Sequence, residues 1–288
     1  MIHGVINIYK ERGFTSHDVV GKLRGILRQK KIGHTGTLDP DAEGVLPVCL
    51  GKATKLCDLL TDKEKTYRAV LLLGKTTDTQ DVSGTVLSEA PVTAEEEKVR
   101  EAILSFVGDY DQIPPMYSAL KVNGQKLCDL ARKGRQVERQ PRPVTIHELT
   151  LLSREGDTLR LRVRCSKGTY IRTLCADIGE ALGCGGCMQA LRRTQAGEYT
   201  IAEAVPLQQL LEAAEPETYL RDVDTMFRGY PAVKLTVNQE KRCRNGNAFS
   251  VSLPSGTYRA YSQSGEFLML AKVEDGVMST IKSFFDVQ

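Results

Sequence analysis

Gly33-His34-Thr35-Gly36-Thr37-Leu38-Asp39-Pro40-Asp41-Ala42-Glu43-Gly44-Val45-Leu46-Pro47 places one Asp-Pro step among three glycines and between two apolar anchors. Glycine permits positive φ angles and close backbone approach, and Pro40 pushes Asp39 out of the helical region into extended backbone. Taken by itself, such a cluster is an ordinary turn signal. The carboxylate of Asp39 is nevertheless fixed beside apolar Leu38 in a loop with little freedom, which suits chemistry better than solvation.

Outward from this loop the chain reads as alternating elements. Thr15-Ser16-His17-Asp18 has the form of a capping box and predicts a helix with Val19, Val20, Leu23, Ile26 and Leu27 at helical spacing. On the other side, Tyr67 to Leu73 is aromatic, β-branched and aliphatic and stops at Gly74, so it predicts a strand. Thr93 and Glu96 are expected to cap a second helix carrying Val99, Ala102, Ile103, Phe106 and Val107, ended by Gly108. Leu159, Leu161, Val163 and Cys165 alternate with Arg160, Arg162 and Arg164, the period of a half-buried strand. After Gly168-Thr169, the stripe Ile171, Leu174, Ile178 and Leu182 predicts a further helix up to Gly183. Short β-type runs at Ala232 to Val237, Thr257 to Tyr261 and Phe267 to Val273, separated by turn residues, predict a small C-terminal β domain.

A chain of 288 residues, 41% hydrophobic and 26% charged, can bury a substantial core. No apolar run nears the roughly 18 residues needed to cross a bilayer, and the N-terminus has no signal-peptide pattern, so a cytoplasmic location is expected. Eight cysteines in a chain of this length do not read as a disulfide framework. Cys184-Gly-Gly-Cys187 lacks the second half that a zinc site needs. Gly51-Lys52 fails the spacing of a phosphate-binding loop, with Ala53 where Ser or Thr is required. Asp78 and Asp81 lie in a Thr-rich turn and read as caps of backbone amides rather than as a magnesium site.

The net charge of +3 is small, but it is unevenly spread. Lys22, Arg24, Arg28, Lys30 and Lys31 follow one another with no acid between them. From Tyr117 to Pro143, seven basic residues against Asp129 and Glu138 give a net +5 in a stretch with little core. Two such clusters near candidate sites favour a nucleic-acid partner.

The string Gly-Thr-Leu-Asp-Pro-x-Ala-x-Gly-Val-Leu-Pro from Gly36 closely resembles the active-site motif of the TruB family of pseudouridine synthases. The resemblance covers nearly the whole chain. Gly4-Val5-Ile6-Asn7-Ile8-Tyr9-Lys10 with Gly13-Phe14-Thr15-Ser16 is similar to its N-terminal motif, and Lys65-Thr66-Tyr67-Arg68 to its Lys-x-Tyr segment. Cys165 to Leu174 resembles its third motif, Leu191-Arg192-Arg193-Thr194 also fits, and Gln112 to Gly134 resembles its RNA-gripping insertion. Glu11 departs from the pattern, where a proline commonly follows the lysine.

The resemblance implies a mixed α/β (α+β) fold: a largely antiparallel central sheet with flanking helices, one cleft and the basic insertion at about 112–143. It implies a catalytic unit over 1–228 and a PUA-like RNA-binding β domain over 229–288. The activity implied is isomerisation of uridine 55 in the T loop of tRNA to pseudouridine, without cofactor or metal, by a monomer. Carried over position by position, Asp39 is the catalytic aspartate, Tyr67 contacts the target base and takes the C5 proton, and Arg172 pairs with Asp39 and lowers its pKa. His34, Tyr170 and Leu191 join Tyr67 as substrate-binding residues, and Lys10, Lys55, Lys121, Arg132, Lys133 and Arg135 as RNA-binding residues. Whether Asp39 attacks C1′ or C6, or assists elimination to a glycal, stays open. The rival reading is a tRNA-binding folding chaperone whose catalysis is dispensable.

Overall fold

The Thr15 hydroxyl accepts from the Asp18 amide at 3.0 Å while the Asp18 carboxylate accepts from the Thr15 amide at 2.8 Å, and this reciprocal cap starts the first helix where the sequence predicts it. In this computed structural model, which describes residues 1–285, strand β1 (Gly4–Lys10) precedes that helix, α1 (Ser16–Ile26). Strands β2 (Ile32–His34) and β3 (Glu43–Leu50) flank the Asp39 loop. Val19, Val20 and Leu23 of α1 bury against Ile6 and Ile8 of β1 and Leu46, Val48 and Leu50 of β3, so the amphipathic stripe seats the helix on one face of the sheet.

Helix α2 (Cys57–Thr61) leads into β4 (Lys65–Leu73), then the hairpin of β5 (Lys75–Thr77) and β6 (Val86–Glu89). Helix α3 (Glu96–Leu104) starts later than Thr93 predicts: its N-cap is Glu95, which makes no side-chain capping bond. The apolar stripe, with Val99 and Ile103 buried, rather than a Thr cap, holds this helix in place. Strand β7 (Gly108–Gln112) opens the insertion, which contains β8 (Lys121–Val122), β9 (Gln125–Lys126) and α4 (Leu127–Arg132). Met116, Leu127 and Leu130 give it a small core of its own. The chain returns through β10 (Arg142–Glu155), β11 (Thr158–Cys165), α5 (Ile171–Ala181), β12 (Gly186–Ala196), β13 (Tyr199–Thr200), β14 (Val205–Pro206) and α6 (Leu207–Glu212).

The principal sheet runs β14-β1-β3-β12-β4-β11-β10-β7, with β2 added on β3 and β13 on β12. Among the described residues, its strand pairs are antiparallel except for the parallel β1–β14 and β3–β12 contacts, as expected for an α+β sheet. Period-two alternation in β4 sends Tyr67, Ala69, Leu71 and Leu73 into the core beneath α3 and α5 and turns Arg68 out on the other face. Tyr67 therefore joins the cluster that includes Leu38, Ala42, Ile171, Leu174 and Leu191.

At the parallel crossing, Gly44 lies at φ +110° with Arg193 as its register partner. A Cβ there would stand 2.1 Å from the Arg193 carbonyl oxygen. Gly44→Ala is expected to destabilise the fold by on the order of 3 kcal/mol, read as a fall in Tm. Gly25→Ala, on the exposed side of α1 with nothing within 4 Å, is expected to stabilise by about 0.5–1 kcal/mol.

Residues 232–283 form a second sheet in the order β15 (Ala232–Lys234), β17 (Gly256–Tyr261), β18 (Phe267–Glu274), β19 (Val277–Ser283) and β16 (Phe249–Ser250). The first predicted strand is shorter than Ala232 to Val237, because Thr236 and Gln239 form a capping box that starts helix α7 (Val237–Arg244). This sheet has its own core around Leu235, Cys243, Ala260, Leu268 and Met278. Phe267 and Phe284 stack at 5.1 Å and meet Phe227, so an aromatic cluster joins this sheet to the preceding part of the chain. All eight cysteines are free thiols, Cys184 and Cys187 among them.

Candidate active site

The Asp39 loop is held by its backbone neighbours independently of the Asp39 side chain. Buried Ser16 accepts from the Leu38 amide at 2.9 Å, Gly13 donates to the Pro40 carbonyl at 2.9 Å, and Ala42 donates to the Asp39 carbonyl at 3.0 Å. Lys10 completes the clamp, donating to the carbonyls of Glu11 (3.1 Å), Phe14 (2.5 Å) and Pro40 (3.1 Å). Lys10 is fully buried, so it is a loop tie and not the phosphate contact expected of it; burial lowers its pKa to about 8. The clamp supplies at the Lys10-Glu11 step the rigidity that a proline after the lysine would give.

Arg172, in the first turn of α5 and 5% exposed, meets Asp39 as a fork: Nε lies 2.9 Å from Oδ2 and Nη2 3.4 Å from Oδ1. Two residues 133 positions apart are thus joined by a bidentate guanidinium–carboxylate pair. The same guanidinium donates to the carbonyls of Thr79 (3.0 Å) and Tyr117 (2.8 Å) and stands 3.6 Å from the carboxylate of Asp81. The Asp39 loop, the β5–β6 turn, the base of the insertion and α5 converge on this one side chain.

Asp81 keeps the turn role read for it, accepting from the Ser83 amide at 3.0 Å, as Asp78 does from the Thr85 amide at 2.7 Å. It also shares Arg172, and that changes the electrostatics. Burial raises the pKa of Asp39, opposed by Arg172 and reinforced by Asp81. Arg172 lowers it, as expected, but less than burial and Asp81 raise it, because the cleft removes more solvation than one shared guanidinium restores. The carboxylate still opens to one side, with its side chain 39% exposed.

Tyr67 and Leu191 lie in the same packed cluster as Leu38 and are each 8% exposed. Burial pushes the Tyr67 phenol above its ordinary value, which makes it a poorer base and a better apolar wall. Tyr170 is the N-cap residue of α5 and is half-buried; its amide donates to the buried Gln112 side chain (2.7 Å) and its carbonyl accepts from it (3.0 Å). Gln112, at the end of β7, ties the insertion to the start of α5.

Arg193 was not marked by the sequence reading as a site residue, yet it is 1% exposed and donates to the carbonyls of Val45 (2.7 Å) and Gly36 (3.1 Å). It sits opposite Tyr67 in the sheet register, and its charge partly offsets the burial that raises the phenol's pKa. The available signal was its spacing: two residues from Leu191 on a strand puts Arg193 on the same buried face, where a cation must have partners.

His34 ends β2 with its Nδ1 buried and unpartnered among the described residues, and its ring meets His17 edge-on at 5.6 Å. Burial, then the charges of His17 and Arg193, lowers its pKa to about 4. The unfolded chain takes up this proton as pH falls through about 6.5, whereas the folded protein does not until about 4. Stability is therefore expected to fall across that window by about 3 kcal/mol more in the wild type than in His34→Gln, measured by urea unfolding at each pH.

The basic residues divide. Lys121, Arg132, Lys133 and Arg135 are exposed on the insertion, and Lys22, Arg24, Arg28, Lys30 and Lys31 are exposed on and after α1. Lys55 is half-buried and donates to the Ser283 carbonyl at 2.9 Å, so it ties the segment after β3 to the C-terminal sheet instead of facing solvent as an RNA contact.

Residues 24–171 match the model of the TruB family pseudouridylate synthase N-terminal domain, and residues 172–223 match that of the tRNA pseudouridylate synthase B C-terminal domain. This chain belongs to the TruB family of pseudouridylate synthases. It is therefore an isomerase that makes pseudouridine. The boundary between the two matched segments falls between Ile171 and Arg172, so the Asp39–Arg172 pair joins one to the other.

The chain is 56% identical over 260 residues to the tRNA pseudouridine synthase B of Lachnoclostridium phytofermentans, covering 85% of this chain and 84% of that one. It is 42% identical over 287 residues to the tRNA pseudouridine synthase B of Clostridium kluyveri, covering 98% and 99%. Among solved structures, a Cbf5-Nop10-Gar1 complex aligns with TM-score 0.73 at 26% identity over 99% of this chain and 85% of that one. An H/ACA ribonucleoprotein bound to a substrate RNA containing 2′-deoxyuridine shares the fold, with TM-score 0.72 at 24% identity over 99% and 86%.

Proposed function

We propose that this enzyme isomerises uridine 55 in the T loop of tRNA, with Asp39 as the catalytic carboxylate. The observation that carries the reading is the forked Asp39–Arg172 pair, with Tyr67 and Leu191 packed in the same cluster as Leu38 beside it. The reaction breaks the N1–C1′ bond, turns the uracil and forms a C5–C1′ bond, while the proton leaving C5 is matched by one gained at N1. Substrate and product are isomers, so no oxidant, reductant or co-substrate is required. Asp39 supplies negative charge beside the reacting ribose or base, and Arg172 offsets part of the burial that opposes that charge. Tyr67, Leu191 and Tyr170 form the apolar and aromatic wall against which a detached base can turn.

A paired and stacked uridine cannot reach such a recess, so it must be everted, at a cost of a few kcal/mol that is smallest in a loop. His34, at the end of β2 where the Asp39 loop begins, suits the entry of that loop. Lys121, Arg132, Lys133 and Arg135 on the insertion and the basic end of α1 would hold phosphates, with affinity that falls as salt rises. Residues 1–228 act as the catalytic unit with the insertion at about 112–143, and residues 229–288 as a PUA-like RNA-binding unit. The working form is a monomer in the cytoplasm with the T arm as its partner.

Unmodified tRNA incubated with the purified enzyme is expected to gain one pseudouridine, mapped to position 55 by carbodiimide labelling and primer extension. A product mapped elsewhere would overturn the position, and binding without any product would favour the folding-chaperone reading.

A further inference from the structure

Behind the catalytic face, the same sheet carries a second basic feature. Arg192 of β12, Arg68 of β4 and Arg162 of β11 are direct register partners, Arg192 with Arg68 and Arg68 with Arg162. Alternation along β4 places this row on the face opposite Tyr67. Neighbouring strands lie about 4.8 Å apart, and like charges directly opposite one another destabilise a sheet. Three guanidinium groups in a row need carboxylate partners if they are not to destabilise the sheet.

The outer two are each held by a carboxylate. Arg192 contacts Glu43 through Nη2 at 2.5 Å and Nε at 2.6 Å, and Arg162 contacts Glu148 at 2.8 Å. Arg68, between them, is exposed and has no ion pair or side-chain hydrogen bond among the described residues. Two carboxylates against three cations leave one positive charge, and it sits at the centre of the row. All three arginines line a depression of about 310 Å³, whose remaining wall is Thr66, Thr194, Gln195, Thr200 and Ile201. Thr194 is held to the Thr66 carbonyl (3.2 Å) and Thr200 to Glu203 (2.9 Å), so this wall is fixed by its own contacts.

A planar guanidinium free to offer two parallel N–H groups recognises phosphate oxygens in a fork, and weaker hydration makes it better suited to this than an ammonium. We infer that this depression is a phosphate-binding site, with Arg68 as the principal ligand and Arg162 and Arg192 as flanking cations oriented by Glu148 and Glu43. It stands apart from Asp39 and does not depend on the assignment of uridine 55. The phosphate is either a small phosphorylated anion or a backbone phosphate of an RNA that wraps beyond the catalytic face.

Isothermal titration with inorganic pyrophosphate at constant ionic strength tests the site. The wild type is expected to bind one equivalent saturably, and Arg68→Gln at least tenfold more weakly. Arg160→Gln, on the same face of β11 but outside the depression, is expected to stay within twofold of the wild type. Equal unfolding temperatures of the three proteins establish that folding is not the variable. Absence of saturable binding by the wild type, or equal affinity in Arg68→Gln, overturns the inference. The source is then resolved with full-length tRNA and an isolated T-arm stem-loop. A backbone phosphate predicts that Arg68→Gln weakens full-length tRNA several-fold, with a shallower salt dependence, and leaves the stem-loop unchanged. A small anion predicts that neither RNA is affected while the pyrophosphate defect stands.

Discussion

Asp39→Asn is expected to lower turnover at least about 10⁴-fold while leaving tRNA affinity within a few-fold of the wild type. The size follows from chemistry: an amide of nearly the same shape cannot carry the negative charge that the bond exchange requires, and loss of a catalytic nucleophile or its equivalent costs rates of this order. The selectivity follows from structure. Leu38, Pro40 and the Asp39 backbone are held by Ser16, Gly13, Lys10 and Ala42, none of which uses the carboxylate, so the loop keeps its path. Arg172 keeps Asp81 and two carbonyls as partners. The exposed cations of the insertion are untouched. Release of tritium from C5-labelled uridine in tRNA reads the chemical step directly, and filter binding reads affinity. Turnover within tenfold of the wild type would remove Asp39 from the catalytic role, and a parallel loss of binding would point to a damaged fold.

Much of this arrangement was legible in the sequence because it is local. The Thr15–Asp18 box, the strand ending at Gly74 and the stripe from Ile171 to Ile178 are each written within a dozen residues, and each element forms where those patterns place it. The fold class followed from them together with the motif resemblance. What the sequence did not reveal depends on three-dimensional neighbours. Lys10 looks like any basic residue until three carbonyls surround it. Lys55 looks like an RNA contact until the C-terminal sheet takes it up. Asp81 reads correctly as a turn cap, but its second role toward Arg172 depends on how the β5–β6 hairpin folds over α5. The direction of the Asp39 pKa also required burial, which no spacing reports. Helix α7 is a different kind of miss: its Thr236–Gln239 box was present, but the β-rich surroundings drew Val237 into the preceding strand.

Arg172→Met is expected to lower kcat by about 10²–10³-fold at neutral pH, and Arg172→Lys by less. Methionine leaves Asp39 near Asp81 with no guanidinium between them, so the influences that raise its pKa, burial and a like charge, are opposed only by the charge of Lys10 and push the Asp39 pKa further up. Lysine returns a positive charge but only as a point, without the fork that spans both carboxylate oxygens. Breaking a buried pair also costs on the order of 3 kcal/mol of stability, so a fall in rate alone would not separate chemistry from folding. The pH profile does. The acid limb of kcat reports ionisation of the enzyme–substrate complex, and in the wild type it is expected above the ordinary carboxylate range because Asp39 is already raised. It should move to higher pH in Arg172→Lys and further in Arg172→Met, so that part of the lost rate returns on going from pH 7 to pH 8.5. A merely loosened fold would lower the rate by the same factor at both pH values, and that result would reduce Arg172 from the group that sets the charge of Asp39 to a structural tie between α5 and the insertion.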